Sequence, residues 1–421
     1  MKIVIAPDSF KESLSALAVA DAIEAGMRAV FPDAHYVKIP VADGGEGTVQ
    51  ALVDATGGAR IEQRVTGPLG EPVDAFYGMT GEQDEAGDTP TAVIEMAAAS
   101  GLEGVPPHRR DPLLATSRGT GELIRHALDR GARRFILGVG GSATNDGGAG
   151  MLQALGVRLL DAAGRELGPG GGALAQLARI DAAGLDARVA DAEFHIACDV
   201  DNPLTGPRGA SAIFGPQKGA TPEMVAQLDA NLAHYARIVE RDAGDDMGHL
   251  AGRGIAAMPG AGAGGGIAAA MVVFLHGRLR PGIEIVTEAV GLDAAVQGAD
   301  LVVTGEGRID GQTVGGKTPM GVARVAARHG KPVIAIGGCL APDADAVHAH
   351  GIDAVFAAVS RPCTVAEALA AADSNLRTAA RNVAAALMLG ARLGASASGA
   401  AAVVPRATAA WLSAGGTAAP G

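Results

Sequence analysis

Short apolar runs alternate with helically spaced apolar residues at the start of the chain. Residues 2–7 and 35–41 are runs of strand length, whereas residues 15–31 and 48–55 place apolar side chains at intervals of three and four. An apolar run, an amphipathic helix and a second run form the pattern of a βαβ unit. The first 55 residues therefore predict a parallel, doubly wound α/β sheet.

The pattern changes in the middle of the chain and returns near residue 300. The middle predicts a hairpin at 60–66 and 72–78, a strand at 92–96, and helices near 119–128 and 222–239. Strands at 301–304, 332–336 and 353–359 and helices at 319–329 and 365–389 then restore the first pattern. We therefore predict one α/β domain from residues 1–66 and 280–394, an inserted α/β domain at 67–279, and a flexible Ala/Gly-rich tail at 395–421.

Composition narrows the class of protein. The 421 residues are 48% hydrophobic and only 3% aromatic, and their formal net charge is −12. These values argue against binding to nucleic acid or to an anionic membrane surface. Three widely spaced cysteines predict neither disulfides nor a zinc site, and we expect no targeting or membrane segment. We expect a cytoplasmic protein that acts on small molecules.

A glycine-rich loop at 138–150, GVGGSATNDGGAG, lies between a predicted strand and a predicted helix. Strand, glycine-rich loop and helix together gather backbone N–H groups into an anion-binding nest. The loop carries Gly141, Ser142, Asn145, Asp146 and Gly147, which are suited to phosphate oxygens or hydrated Mg²⁺.

Charged residues also follow other predicted strands. Asp8 and Lys11 follow the first strand, Asp43 follows the second, and a third loop after residue 304 carries the set Glu306, Arg308, Asp310 and Lys317. Because ligands bind outside the carboxyl ends of parallel strands, we expect these loops to share one edge. Asp199 and Asp201 follow the run 194–197 and would share a strand face if that strand extends so far.

Lysine usage and two motifs refine the prediction. Only six lysines occur in the chain, and Lys11, Lys218 and Lys317 lie in polar or glycine-rich loops, as expected where a phosphate needs a point charge. Residues 311–318 satisfy GxxxxGK[ST] and predict a phosphate-binding helix N-terminus. Residues 260–265 satisfy GxGxxG, but chance explains that match and no clear strand precedes it.

Several blocks in order resemble one family: APDSFKES, ADGGEGT, GSATNDGG, CDVDNPL, FGPQKGA, PGIEIV and TGEGRIDGQT with GGKTP. They resemble the bacterial glycerate kinases of glyoxylate and glucarate degradation, from about residue 1 to 393. The resemblance implies ATP- and Mg²⁺-dependent phosphorylation of D-glycerate, at the 2-hydroxyl rather than the 3-hydroxyl. It also implies a flavodoxin-like domain from both chain ends, an inserted domain and a cleft site between them. The acidic segment 81–90 and the tail depart from the family pattern.

We assign roles on this basis. Asp43 is the first choice for the base that accepts the hydroxyl proton and Asp310 the second, while Arg308 or Lys11 holds the carboxylate of glycerate. The ATP-binding set is Gly141, Ser142, Asn145, Gly147, Lys218, Glu306 and Lys317, and the metal-binding set is Asp146, Asp199 and Asp201.

Alternatives stay open: a non-catalytic hydroxy-acid sensor, a kinase of another small hydroxy acid or polyol, and an oxidoreductase that uses residues 260–265. Oligomeric state also stays open, with a homodimer as one candidate.

Overall fold

A computed structural model describes residues 1–81, 90–243 and 254–397. Its strands are β1 Lys2–Ile5, β2 His35–Lys38, β3 Ala59–Thr66, β4 Pro72–Met79, β5 Thr91–Glu95, β6 Arg134–Gly138, β7 Arg158–Leu160, β8 Arg179–Asp181, β9 Glu193–Ala197, β10 Arg278–Arg280, β11 Leu301–Thr304, β12 Arg308–Ile309, β13 Val333–Gly337, β14 Cys339–Leu340 and β15 Ala354–Ala357. Its α-helices are α1 Ala16–Arg28, α2 Thr48–Thr56, α3 Ala97–Ser100, α4 Arg118–Asp129, α5 Ala149–Ala154, α6 Ala210–Phe214, α7 Pro222–Asp242, α8 Ile267–Phe274, α9 Gly282–Ala289, α10 Leu292–Gln297, α11 Thr318–Arg328, α12 Val365–Ala370 and α13 Ala372–Ala397.

The two ends of the chain build the first sheet. Its five strands are all parallel and lie in the order β15-β13-β11-β1-β2. Numbered within the sheet, this order is 2-1-3-4-5, which is that of flavodoxin-like folds. Ile3 pairs with Leu301, so the central strand pair joins residues almost 300 positions apart. The predicted doubly wound domain is confirmed.

Helices cover both faces of this sheet. On one face α1 and α13 bury Val19, Ile23 and Leu376 against Ile3 and Ile5. Ser15 starts α1 as its N-cap, since its hydroxyl accepts a hydrogen bond from the amide of Ala18. The other face is covered by α2, α9 and α11.

The second sheet has six strands in the order β10-β9-β6-β5-β4-β3. Strands β10, β9, β6 and β5 are parallel, and the predicted hairpin β3–β4 continues the sheet in antiparallel pairing. The predicted domain boundary at residue 66 separates the two strands of this hairpin. Their eight paired positions instead put both strands in the second sheet, so the sheet boundary falls before Ala59.

The two sheets share a hydrophobic core. Val49 and Leu52 of α2 pack in one cluster with Val4 of the first sheet and with Val93 and Ile136 of the second. Apolar packing around α2 therefore joins the two sheets.

The C-terminal region differs from the predicted single helix at 365–389. Two helices replace the single one: α12 ends at Ala370, and α13 begins at Ala372 and extends to Ala397. Most of the acidic segment at 81–90 and of the predicted tail, residues 82–89 and 398–421, lie outside the described residues. None of the helices that the structure describes combines the length and hydrophobicity needed to span a bilayer.

Candidate active site

Glycine-rich turns precede several helices at the cleft, but carboxylates of the protein, two of them buried, already occupy the N-termini of three of these helices. Asp146 is fully buried at the start of α5, where it accepts hydrogen bonds from the amides of Gly148 at 3.1 Å and Gly150 at 3.2 Å. Gly148 donates to Oδ1, whereas Gly150 donates to Oδ2, which also accepts from the amide and the hydroxyl of Ser117 at 2.8 Å each. Both oxygens of this predicted metal ligand are thus used inside the protein.

Two further carboxylates of the second sheet bind helix N-termini on the first. Glu95, at the end of β5, accepts a hydrogen bond of 2.8 Å from the amide of Val49 in α2. Burial raises the pKa of Glu95. Asp199 accepts a hydrogen bond of 3.1 Å from Gly282, the first residue of α9. These contacts fasten the two sheets together beside the cleft.

The N-terminus of α11 is different because its amides are free. Among the described residues, no group accepts a hydrogen bond from the amides of Gly316, Lys317 or Thr318. The hydroxyl of Thr318 donates to Asp8 at 2.6 Å, which ties α11 to the loop after β1. Consecutive free amides at the start of an eleven-residue helix form an anion-binding nest.

A cavity of about 560 Å³ lies beside this nest. It occupies the space between the loops that follow β1 and β11, which is the point where the strand order of the first sheet reverses and where such sheets bind ligands. Its polar wall contains Asp8, Ser9, Lys11, Asp43, Glu306, Arg308 and Lys317. Its apolar wall, formed mainly by α12, contains Val359, Val365, Ala368 and Leu369. We call this the larger cavity.

A second cavity, of about 280 Å³, lies at the carboxyl ends of β6 and β9. Gly140, Gly141, Ser142, Asp199, Lys218 and Gly264 are among its lining residues. Asp43 lines this smaller cavity as well as the larger one. One carboxylate thus stands where the two cavities meet.

Lys218 is the cation of the smaller cavity. Its ammonium donates to the Ser142 hydroxyl at 2.8 Å and to the Thr144 carbonyl at 2.6 Å. An ammonium has three donors, so one stays available to a ligand. Burial lowers the pKa of Lys218 to about 7, and the negative charge of Asp146 opposes that shift only in part.

Acidic groups crowd the polar wall of the larger cavity. Burial, with the negative charge of Asp43 adding to it, raises the pKa of Asp8 to about 6. Burial likewise raises the pKa of Glu306 to about 7, although Lys317 lies 3.7 Å from it. A divalent cation would relieve this crowding.

The donor set suits magnesium. Mg²⁺ keeps several waters and takes one or two carboxylates together with substrate phosphates. The described residues contain no closed cluster of three or more His, Cys, Asp or Glu arranged for a metal. Asp8 and Glu306 therefore fit a magnesium ion that arrives with phosphates.

Several predicted site residues line neither cavity. Asn145 is buried and donates to Ser211 at 2.9 Å, and Gly147 packs against the ring of Tyr235. Asp201 is exposed in an ion pair with Arg208 at 2.7 Å. Because β9 ends at Ala197, the expected strand face shared by Asp199 and Asp201 does not form. The condition attached to that expectation, a strand that extends to residue 201, is not met.

Asp310 also stays behind the cavity wall. Its carboxylate accepts hydrogen bonds from the amides of Gln312 and Thr313 and lies 3.7 Å from Lys317 and 3.3 Å from Arg308. In this position it orients two cations of the larger cavity.

Two carboxylates at the cleft, Asp8 and Glu95, have no role among the predictions from the sequence. Asp8 follows β1 as Asp43 follows β2, so its place after a strand was a usable signal. Glu95 ends a buried strand, but its partner amide lies 46 positions away and no local pattern shows it.

The site combines two cavities that share Asp43, an open anion nest, cationic side chains and carboxylates suited to magnesium, and these are the features of a kinase. Comparison with known families agrees with this class. Residues 3–388 match the model described as Glycerate kinase family. The chain belongs to the glycerate kinase family.

Individual relatives are similar over nearly the whole chain. It is 58% identical to glycerate kinase of Bacillus subtilis (strain 168), over 92% of this chain and 98% of that protein. It is 56% identical to glycerate 2-kinase of Escherichia coli (strain K12), over 93% and 99%. A crystal structure of a protein described as glycerate kinase 2 from Salmonella typhimurium LT2 covers 93% of this chain and 99% of its own, with a TM-score of 0.84 at 56% identity.

Proposed function

We propose that this kinase transfers the γ-phosphoryl group of MgATP to the 2-hydroxyl of D-glycerate, in the degradation of organic acids in the cytoplasm. The 3-hydroxyl is the less favoured acceptor. The observation that carries the mechanism is that Asp43 lines both cavities. A phosphoryl donor in one cavity and an acceptor in the other would meet at this carboxylate.

ATP belongs in the larger cavity. About 560 Å³ suits a nucleotide, and one wall is apolar as a base requires. The free amides from Gly316 to Thr318 and the ammonium of Lys317 supply donors for phosphate oxygens. The N-termini of α2, α5 and α9 cannot do the same, since carboxylates of the protein occupy them.

Magnesium would come with the nucleotide. Asp8 and Glu306 are placed to hold its water shell, and Lys11 and Arg308 line the same wall as counter-charges for the triphosphate. When bound, the ion would neutralise negative charge on the phosphates during transfer.

Glycerate belongs in the smaller cavity. Its carboxylate would accept the remaining donor of Lys218 and contact the Gly141–Ser142 turn, where Gly141 has φ +70°. This placement replaces the expectation that Arg308 or Lys11 binds that carboxylate, since both residues line the larger cavity.

Asp43 then acts as the base. Its carboxylate accepts the proton of the glycerate hydroxyl while that oxygen attacks the γ-phosphorus in line, and ADP leaves toward the larger cavity. The backbone amide of Gly45 donates to one oxygen of Asp43 at 3.0 Å and holds the carboxylate in place.

The GxGxxG match at residues 260–265 does not support the oxidoreductase alternative. In the 260–265 loop, Gly265 accepts a hydrogen bond from the amide of Gly147 at 3.0 Å and lies against the Thr144 carbonyl. The loop thus packs against the turn that bears Lys218's partners. A hydroxy-acid sensor would need neither the nest at α11 nor the carboxylates beside it.

One experiment tests the reaction. ADP release is measured with D-glycerate, L-glycerate and glycolate as acceptors, and the product is examined by phosphorus NMR. We expect turnover with D-glycerate and a phosphorus coupled to one carbon-bound proton, as in 2-phosphoglycerate. Coupling to two protons would assign 3-phosphoglycerate, and no ADP release above the ATPase background would favour the sensor.

A further inference from the structure

The apolar wall of the larger cavity contains a side-chain amide that no other group uses. Asn375 lies in the first turn of α13 and lines the cavity beside Leu369 and Ala372. Its backbone amide donates to Ala371, but among the described residues its side-chain amide makes no hydrogen bond.

The other polar side chains near Asn375 already form hydrogen bonds within the protein. The Thr364 hydroxyl belongs to a capping box with Glu367, and the Ser13 hydroxyl donates to the Phe10 carbonyl. On the opposite side of the cavity, charged groups are reserved for phosphates and magnesium. Among the lining residues in the described part of the chain, Asn375 is therefore the one side-chain amide in position to bind a ligand from the apolar wall.

The apolar wall leaves hydrophobic surface exposed to solvent. Val365 leaves 76% of its surface exposed. A flat, largely apolar ring against Val365 and Leu369 would remove this surface from water. A nucleobase has that shape, and its polar edge would then face α13.

We propose that Asn375 selects adenine over guanine by reading the N6/N7 edge of the base. This inference rests on the proposed placement of MgATP in the larger cavity. The Asn carbonyl accepts from the N6 amine while the Asn amine donates to N7, the pairing by which Asn reads adenine in nucleic acids. Guanine presents O6 and N7, two acceptors, to the same side chain and loses one hydrogen bond.

The first test measures kcat/KM for ATP and for GTP. The wild-type enzyme prefers ATP, and Asn375→Ala lowers the ATP/GTP ratio about tenfold, mainly through the KM for ATP. Asn375→Asp keeps the acceptor for the N6 amine but can donate to neither N7 nor O6, so it raises the KM for both nucleotides and ATP stays preferred. Asn382→Ala is the matched control, because Asn382 is an exposed asparagine two turns along the same helix and lines no described cavity. It leaves the ratio unchanged.

A second measurement separates this inference from the placement of ATP. Cys363 is exposed on the same wall, and replacing Cys198 and Cys339 by Ser leaves it as the only thiol of the chain. DTNB reacts with it by thiol–disulfide exchange, releasing one coloured thiolate for each mixed disulfide formed. ATP bound in the larger cavity slows this reaction, and GTP at equal concentration slows it less.

Failure of ATP to slow the labelling would remove the nucleotide from this cavity and the role of Asn375 with it. Protection by ATP together with a wild-type ratio in Asn375→Ala would overturn the role of Asn375 alone. Equal use of ATP and GTP by the wild-type enzyme would overturn it too.

Discussion

The substitution Asp43→Asn tests the proposed junction of the two cavities most directly. Asn has nearly the size of Asp and keeps an oxygen that can accept the 3.0 Å hydrogen bond from the amide of Gly45. The loop that carries residue 43 should therefore keep its position, and both cavities their walls. The change removes the negative charge and the capacity to accept a proton.

The size of the effect follows from that loss. A positioned general base contributes about 10²- to 10⁴-fold to a rate, or roughly 3–5 kcal/mol of activation free energy. We expect kcat to fall within this range. The KM for ATP should not rise, because removing an anion near the triphosphate reduces repulsion.

The assay is coupled ADP release at saturating ATP and D-glycerate. Asp33→Asn, which makes the same chemical change at an exposed position remote from both cavities, serves as control and should behave as the parent enzyme. Turnover of Asp43→Asn within threefold of the parent would refute Asp43 as the base. A large rise in either KM at unchanged kcat would instead assign it to binding.

Three further predictions concern the nest, the buried carboxylate and the buried lysine. Lys317→Ala should raise the KM for ATP about tenfold and leave the KM for glycerate nearly unchanged, whereas Ser142→Ala should raise the KM for glycerate and leave that for ATP nearly unchanged. If steady-state kinetics show the opposite pattern, ATP binds in the smaller cavity and glycerate in the larger one. Asp146→Ala should lower the free energy of unfolding, measured in urea titrations, by about 3–5 kcal/mol. The substitution leaves the buried donors of Ser117, Gly148 and Gly150 without an acceptor and removes the negative charge near the Lys218 ammonium. The control Asp201→Ala, at an exposed ion pair, should change the free energy of unfolding by less than about 1 kcal/mol. Because the pKa of Lys218 is about 7, its charged fraction falls as pH rises, so the KM for glycerate should increase roughly tenfold from pH 6 to pH 8. The KM for ATP should not rise over this range, because Asp8 and Glu306, with pKa values of about 6 and about 7, become more fully charged for magnesium. A flat glycerate profile would remove Lys218 from carboxylate binding.

Much of the fold could be predicted because its signals are local. Apolar runs located β1, β2 and β11 within a few residues, and helical spacing located α1 and α7. The short polar turn between 60–66 and 72–78 located the β3–β4 hairpin. The assignment of that hairpin to the second sheet depends on pairing between β4 and β5, which no local pattern encodes.

The sequence predicts which residues gather at the site better than it predicts the role of each one. Loops after parallel strands converge for topological reasons, so Lys11, Asp43, Glu306 and Lys317 do line one cavity. Asp146 lies in a loop of the same composition, yet its carboxylate turns inward onto the amides of α5. Whether an acidic residue caps its own helix or faces a ligand is decided by side-chain direction, and a loop sequence does not specify that direction.

The pairing of β1 with β11 has a consequence for how activity arises during synthesis. Asp8 and Asp43 are synthesised early. Strand β11, which positions Glu306, and the helix α11 are synthesised only after residue 300. The second sheet, complete by residue 280, can form while the N-terminal strands still wait for their neighbours. A chain that ends near residue 300 would thus contain all strands of the second sheet but only two of the five strands of the first, and kinase activity would require the C-terminal part of the chain.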